Sequence, residues 1–281
     1  MRLARRVLPN GDVLVAESNA PAKPDDGKGI KGALMKAVMK RAGAGVPSAN
    51  RISLLRDVDG DGVAEFRTVF AQNLHSPFGM ALVGGDFFVA NTDAVIRFAY
   101  RDGMTKLEGV GTKVADLPAG TINHHRTKNT IASPDSRKLY ATGGTRVFAS
   151  CLRNPNGMDW QPRSGRSWTA VNKRDELGSD LVPDYLTSVQ DGAFYGWPYN
   201  YYGQRGSRNR APPSGYRVVS IPFSNGRWNG PVREVLTRFL DAEGNAGGRP
   251  VGVAIDRRGA LLVADDVGNA LWRVRSAALA R

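Results

Sequence analysis

The chain has 281 residues and a formal net charge of +13, from 39 Lys and Arg against 26 Asp and Glu. Hydrophobic residues make up 41% and charged residues 23%, an ordinary balance for a globular domain that excludes wholesale disorder. No apolar run reaches the roughly 18–20 residues that cross a bilayer, so no membrane span is expected, and the single Cys151 excludes an intrachain disulfide framework and a cysteine-based zinc site.

Gly 33 and Pro 16, about a sixth of the chain, predict many turns and short strands rather than long helices. The basic start, Met1 to Pro9, runs into a turn signal without an apolar stretch, so no secretory leader is expected there. From this point one pattern recurs: a Pro- or Asp-containing turn, a Gly or Ser, then a short apolar strand. Its copies run from Leu8 to Glu17, Val83 to Asn91, Ser133 to Thr142, Gln161 to Asn172 and Asp256 to Asp265. The Gly or Ser marker falls at positions 11, 85, 136, 165 and 259. Each copy predicts a hairpin whose second strand is buried on both faces. The strands that follow, Ala94 to Tyr100 and Ala270 to Arg275, alternate as a strand with one buried face does. Repeated strand units of this kind predict an all-β chain built as a β-propeller, a single domain over residues 1–281. The uneven spacing predicts insertions and losses between units.

An insertion is expected at 24–48. Within it, Leu34, Met35, Val38 and Met39 stand at helical spacing, with Lys36 and Lys40 on another face and Gly43 as a stop. Such a short basic amphipathic helix either packs its apolar stripe on the propeller or touches anionic lipid or a partner. Next, Asp57, Asp59 and Asp61 alternate with glycines in a tight turn, an arrangement that converges oxygen ligands on a hard cation such as Ca²⁺. Thr68 stands where an EF-hand loop has its closing Glu, and a hairpin turn held by Asx hydrogen bonds is the competing reading.

Asn123-His124-His125 holds two of the three histidines. Neighbouring strand residues point to opposite faces, so the pair does not suit one metal; one of them suits a general base. Arg153, Asn154 and Asn156 lie in a Pro-Gly turn where an Arg and an Asn can address carboxylates or carbonyls, or simply satisfy local backbone. Tyr195-Gly196-Trp197-Pro198-Tyr199 and Tyr201-Tyr202 form an aromatic cluster, read either as packing or as a sugar-stacking wall. No P-loop, GxSxG or HExxH motif is present. Lys and Arg are scattered apart from Lys28 to Arg41, and no recognition motif accompanies them, so no nucleic-acid partner is expected.

Several strings together resemble the PQQ-dependent sugar dehydrogenases, in particular the L-sorbosone dehydrogenase branch related to soluble quinoprotein glucose dehydrogenase. They are Leu8 to Glu17, Pro77 to Leu82, Phe148 to Pro155, Val171 to Tyr185, Phe194 to Tyr199 and Arg249 to Ala254. The resemblance implies a six-bladed propeller, periplasmic or secreted, with PQQ and Ca²⁺ at one end of the channel. It implies oxidation of an aldose- or sorbosone-type sugar by base-assisted hydride transfer to the quinone, with the electron acceptor unspecified. The residue matching the base is His124, with His125 the fallback. Arg153, Asn154, Asn156 and Arg210 match positions around the cofactor. The catalytic Ca²⁺ of the family would use backbone carbonyls near Asn172 to Asp175 rather than the Asp57–Asp61 turn. Against the family pattern the chain lacks a leader and first strand, and sequence after Gly144 and after Gln204. These departures imply lost or incomplete blades and leave a second expectation: a catalytically inactive, reduced propeller serving as a binding or vestigial module.

Overall fold

The computed structural model describes residues 2–18, 49–120, 127–143, 146–172, 184–196, 216–224 and 227–275. The helical insertion expected at 24–48, His124, His125, Arg210, and Trp197 to Tyr202 of the aromatic cluster lie outside the described residues. So do both expected internal losses, after Gly144 and after Gln204.

Among the described residues every regular element is a strand, and the strands form six sequential units. The first unit is a four-stranded meander of β1 (Arg2–Val7), β2 (Val13–Ser18), β3 (Arg51–Arg56) and β4 (Phe66–Ala71). The second repeats it with β5 (Gly79–Val83), β6 (Asp86–Ala90), β7 (Ala94–Ala99) and β8 (Thr112–Asp116). The third is the pair β9 (Thr130–Ala132) and β10 (Leu139–Ala141), and the fourth is β11 (Asn154–Trp160), β12 (Ser167–Asn172) and β13 (Tyr185–Val189). The fifth is a nested hairpin, β14 (Val218–Ser220) with β17 (Arg233–Leu236) outside β15 (Phe223–Ser224) and β16 (Arg227–Trp228). The sixth is β18 (Pro250–Ile255), β19 (Leu261–Asp265) and β20 (Ala270–Val274).

All strand pairings are antiparallel between neighbours in sequence, apart from that nested hairpin. The first strands of successive units lie side by side: β1 beside β5, β5 beside β9, and β9 beside β11. β18 of the last unit lies against β1 of the first, which closes the ring. This is the β-propeller that the repeat predicted. The five sequence markers sit at the turn between the first and second strand of units one, two, three, four and six. Four of the marker residues adopt left-handed backbone, Gly11 (φ 100°), Ser136 (φ 59°), Gly165 (φ 63°) and Gly259 (φ 81°); in unit two the preceding Gly84 (φ 56°) does so instead. A tight turn that reverses a hairpin needs this conformation, which is why Gly or Ser recurs there.

The core is concentrated in units one and two. Leu14, Ala16, Ile52, Leu54, Phe70, Phe87 and Val89 are fully buried in one cluster. Phe70 and Phe87 meet edge to face across the two units, with ring centroids 5.4 Å apart. The second strands β2, β6 and β19 are largely buried, as expected of strands covered on both faces. β10 and β12 are not: β12 alternates and β10 is half-exposed throughout. The expectation of two buried faces therefore fails in units three and four and holds in units one, two and six.

Candidate functional site

Strand alternation gives the ring two faces. The start of each unit's first strand marks the upper face, and the turn between first and second strands marks the lower. On the upper face the chain enters β9 through Thr127, Lys128 and Asn129, and enters β11 through Leu152 and Arg153. These two entries touch. The Asn129 amide donates to the Pro155 carbonyl at 3.4 Å, and Thr127 Oγ1 lies 3.5 Å from Asn156 Oδ1. Asn156 Nδ2 donates to the Asn154 carbonyl at 3.3 Å, and Arg153 Nη1 to the Asn172 carbonyl at 3.4 Å.

Local sequence explains this arrangement. Cys151 has φ 63°, so the backbone turns sharply before Arg153. The bridge from Ser150 to Phe194 ties that turn to the segment that follows β13. A bulge between Asn156 and Met158, with Gly157 at φ 70°, re-aims the side chains at the start of β11. Thus Arg153, Asn154 and Asn156, singled out in the sequence, stand together on one face with amide, hydroxyl and guanidinium groups. Such a donor set suits a ligand rich in carbonyl and carboxylate oxygens.

Three residues that sequence reasoning passed over share this face. Lys128 is buried at 8% exposure, and burial holds its pKa below the ordinary lysine value. His75 Nδ1 lies 2.9 Å from Asp93 Oδ2, both half-exposed, and the Asp93 carbonyl accepts the Leu117 N–H. The cue for Lys128 is its place two residues ahead of β9, where a charged residue has little room. His75 and Asp93 are 18 residues apart in sequence, and no pattern in the sequence brings them together.

The Asp57, Asp59 and Asp61 turn lies on the lower face, in the β3–β4 connection. Six residues of β3 at about 3.3 Å each put it about 20 Å from the upper end of the same strand. The sequence expectation missed its fourth member, Glu65; the four carboxylates place one oxygen each within 4.8 Å of one another. All four are exposed. Backbone N–H groups of Val58, Gly60, Gly62 and Val63 donate to Glu65, Asp57 and Asp61, so the turn is also held by its own Asx bonds. Arg258 and Arg275 of the sixth unit donate to the Gly60 and Asp61 carbonyls and pin the turn against the ring's seam. A hard cation fits four oxygen donors there, but at the opposite end of the molecule from Arg153.

A further cavity of about 440 Å³ runs between the outer strands of units one and two. Phe70, Phe98, Leu107 and Val110 line it, and it shares no residue with the upper-face cluster.

A family profile described as "Domain of unknown function (DUF7133)" matches residues 13–173. A curated protein of Borreliella burgdorferi, described as an uncharacterized protein, is 23% identical over 182 residues, 46% of this chain and 48% of that one. The chain therefore spans about half the length of that relative. The PQQ domain of a pyranose dehydrogenase from Coprinopsis cinerea superposes with a TM-score of 0.68 at 14% identity, over 98% of this chain and 92% of that one. A carbohydrate-active enzyme of family AA12 from Trichoderma reesei superposes with a TM-score of 0.66 at 14% identity, over 95% of this chain and 96% of that one. At such identities the likeness is one of fold.

Proposed function

The chain belongs to the family described as Domain of unknown function (DUF7133), and from that premise we propose that it is a quinone-dependent dehydrogenase of an aldose- or sorbosone-type sugar. One observation carries the reading: the upper-face cluster of Arg153, Asn154 and Asn156 with Thr127 and Asn129. These residues fit PQQ by chemistry, because its carboxylates and carbonyls need charged and amide donors. When bound, PQQ supplies a two-electron acceptor, which no side chain of the protein can offer. Arg153, Asn154, Asn156 and Arg210 would hold and orient it. The ring nitrogen of His124 takes the proton of the sugar hydroxyl as that carbon is oxidised, which is general-base catalysis. His124 lies three residues before Thr127 in the sequence. His125 is the fallback base.

Calcium enters this reading at two places. Backbone carbonyls near Asn172 would hold one cation, and the Asn172 carbonyl already accepts a hydrogen bond from Arg153 Nη1 at 3.4 Å. The Asp57, Asp59, Asp61 and Glu65 cluster would hold a separate Ca²⁺ on the lower face, with a structural role alone. A periplasmic or secreted setting follows from the family resemblance, and no helix among the described residues is long and apolar enough to cross a membrane.

A second reading, a propeller that binds without catalysing, is favoured by the exposed Val253, Ile255 and Trp272 of the sixth unit. Titrating PQQ with Ca²⁺ into the full chain separates the outcomes. The dehydrogenase reading predicts saturable binding that Arg153→Met weakens about tenfold or more, together with acceptor reduction by aldoses. Binding without turnover supports the second reading, and no binding at all removes both.

A further inference from the structure

We propose that Lys128 forms a binding site for a carboxylate-bearing ligand on the upper face. The ammonium lies 3.4 Å from where a β-carbon on Gly143 would stand, and Pro118 Cδ lies 3.1 Å from the same point. Gly143 has φ 81°, so the turn that clears this space takes a backbone suited to glycine. The lysine head is thus held against a glycine turn rather than extended into solvent, and the residue is 8% exposed.

Among the described residues nothing neutralises it. Its own carbonyl accepts the Gly79 N–H, which fixes the backbone and leaves the ammonium free. No carboxylate among the described residues pairs with it; on the same face Asp93 is engaged by His75 and Asp116 by Lys113. The polar groups on either side are paired too, since Thr142 Oγ1 accepts the Asn129 N–H and the Asn129 amide reaches the Pro155 carbonyl. A buried cation without a partner is costly, and an apolar side chain of similar length would pack there at no such cost. An incoming anion removes the penalty. A single ammonium balances a single negative charge, so a carboxylate suits it, whereas a phosphate dianion would bring an uncompensated charge into the same buried surroundings. Burial lowers the lysine's pKa, and a bound carboxylate would restore its charged form.

Calorimetric titration of the full chain with the monoanion pyridine-2-carboxylate, and separately with inorganic phosphate, tests the site. Carboxylate binding is expected, weakened about tenfold or more by Lys128→Met and unchanged by Lys106→Met, which removes one exposed charge elsewhere. Where Lys128→Met does not fold, the ¹⁵N-ammonium resonance of Lys128 in the unaltered chain reports instead, and it should shift on carboxylate addition. Equal binding by Lys128→Met, no carboxylate binding, a resonance that does not move, or phosphate binding as tight as the carboxylate's would each overturn the proposal. Neither PQQ nor sugar is present in this titration. A chain that binds the carboxylate but oxidises nothing therefore loses the redox reading and keeps this one.

Discussion

Units one and two differ from units five and six in how they bury their strands. The first pair has four strands each, and their shared interface contains Phe70 and Phe87, both at 0% exposure. The sixth unit packs one face well, where Ala264 and Leu271 meet Val13, Val15 and Leu55 of the first unit. On its other face Val253 is 54%, Ile255 62% and Trp272 50% exposed. Among the described residues the sixth unit is thus packed at the seam and open on its other face. In a propeller each unit is covered only by its neighbours, and the fifth unit's four described strands are only two to four residues long, so they offer that face little cover.

The contrast is open to test by substitution, and the largest effect belongs to the packed side. Phe70→Ala should destabilise the protein by about 3–5 kcal/mol in denaturant unfolding, because it empties the contact between units one and two. A loss below about 1 kcal/mol would mean that this interface is not the main core.

Acid should act on the same side. Burial opposes the ionisation of Asp12 and Glu17, but hydrogen bonds from Arg56 and Asn10 to Asp12, and from Ser53 and Arg51 to Glu17, outweigh it and hold both pKa values down. A carboxyl whose folded pKa is lowered stabilises the fold above its unfolded pKa, near 4, and that contribution is lost as pH falls through the folded value. Asp12→Ala should therefore cost about 1–3 kcal/mol at pH 7, and the difference from the unaltered chain should shrink below pH 4. A pH-independent difference would show that the Arg56 pair contributes nothing.

Lys128 runs the other way. Its lowered folded pKa penalises the folded state below that value, and the penalty fades as pH rises toward the unfolded pKa near 10. Lys128→Met should raise stability by about 1 kcal/mol at neutral pH, with the gain shrinking in base. The smallest effect is expected on the open face: Ile255→Ser should change stability by no more than about 0.5 kcal/mol. A larger loss would show that this face is covered in the folded protein.

The sequence made the architecture legible wherever a turn demanded left-handed backbone. Gly11, Ser136, Gly165 and Gly259 mark first hairpins of four units, and the apolar strand after each marker fixed the register. The fifth unit does carry turn signals, Asn225-Gly226 between β15 and β16 and Gly230 at φ 112°, but no apolar strand follows the first and Pro231 follows the second, so neither matched the repeat. The candidate site was legible in part. Arg153, Asn154 and Asn156 stood out because the sequence reads them as one Pro-Gly turn; the structure corrects this, placing Asn154 and Asn156 in strand β11 with a bulge at Gly157, because β11 pairs with β12 along this stretch. Thr127, Asn129 and Lys128 did not stand out, because their contacts to Pro155, Asn156 and Gly143 are made between units. The Asp57 turn was legible as an acidic cluster, but only the topology showed that it lies on the other face from Arg153, with Glu65 as its fourth member.

The central claim is tested most directly by turnover. Purified full-length chain, saturated with PQQ and Ca²⁺, is given a series of aldoses and an artificial acceptor, alongside the His124→Ala variant. The account predicts sugar-dependent acceptor reduction by the unaltered chain, and loss of at least about 100-fold in kcat for His124→Ala with PQQ affinity retained. PQQ binding with no sugar oxidation, or full turnover by His124→Ala, would contradict it.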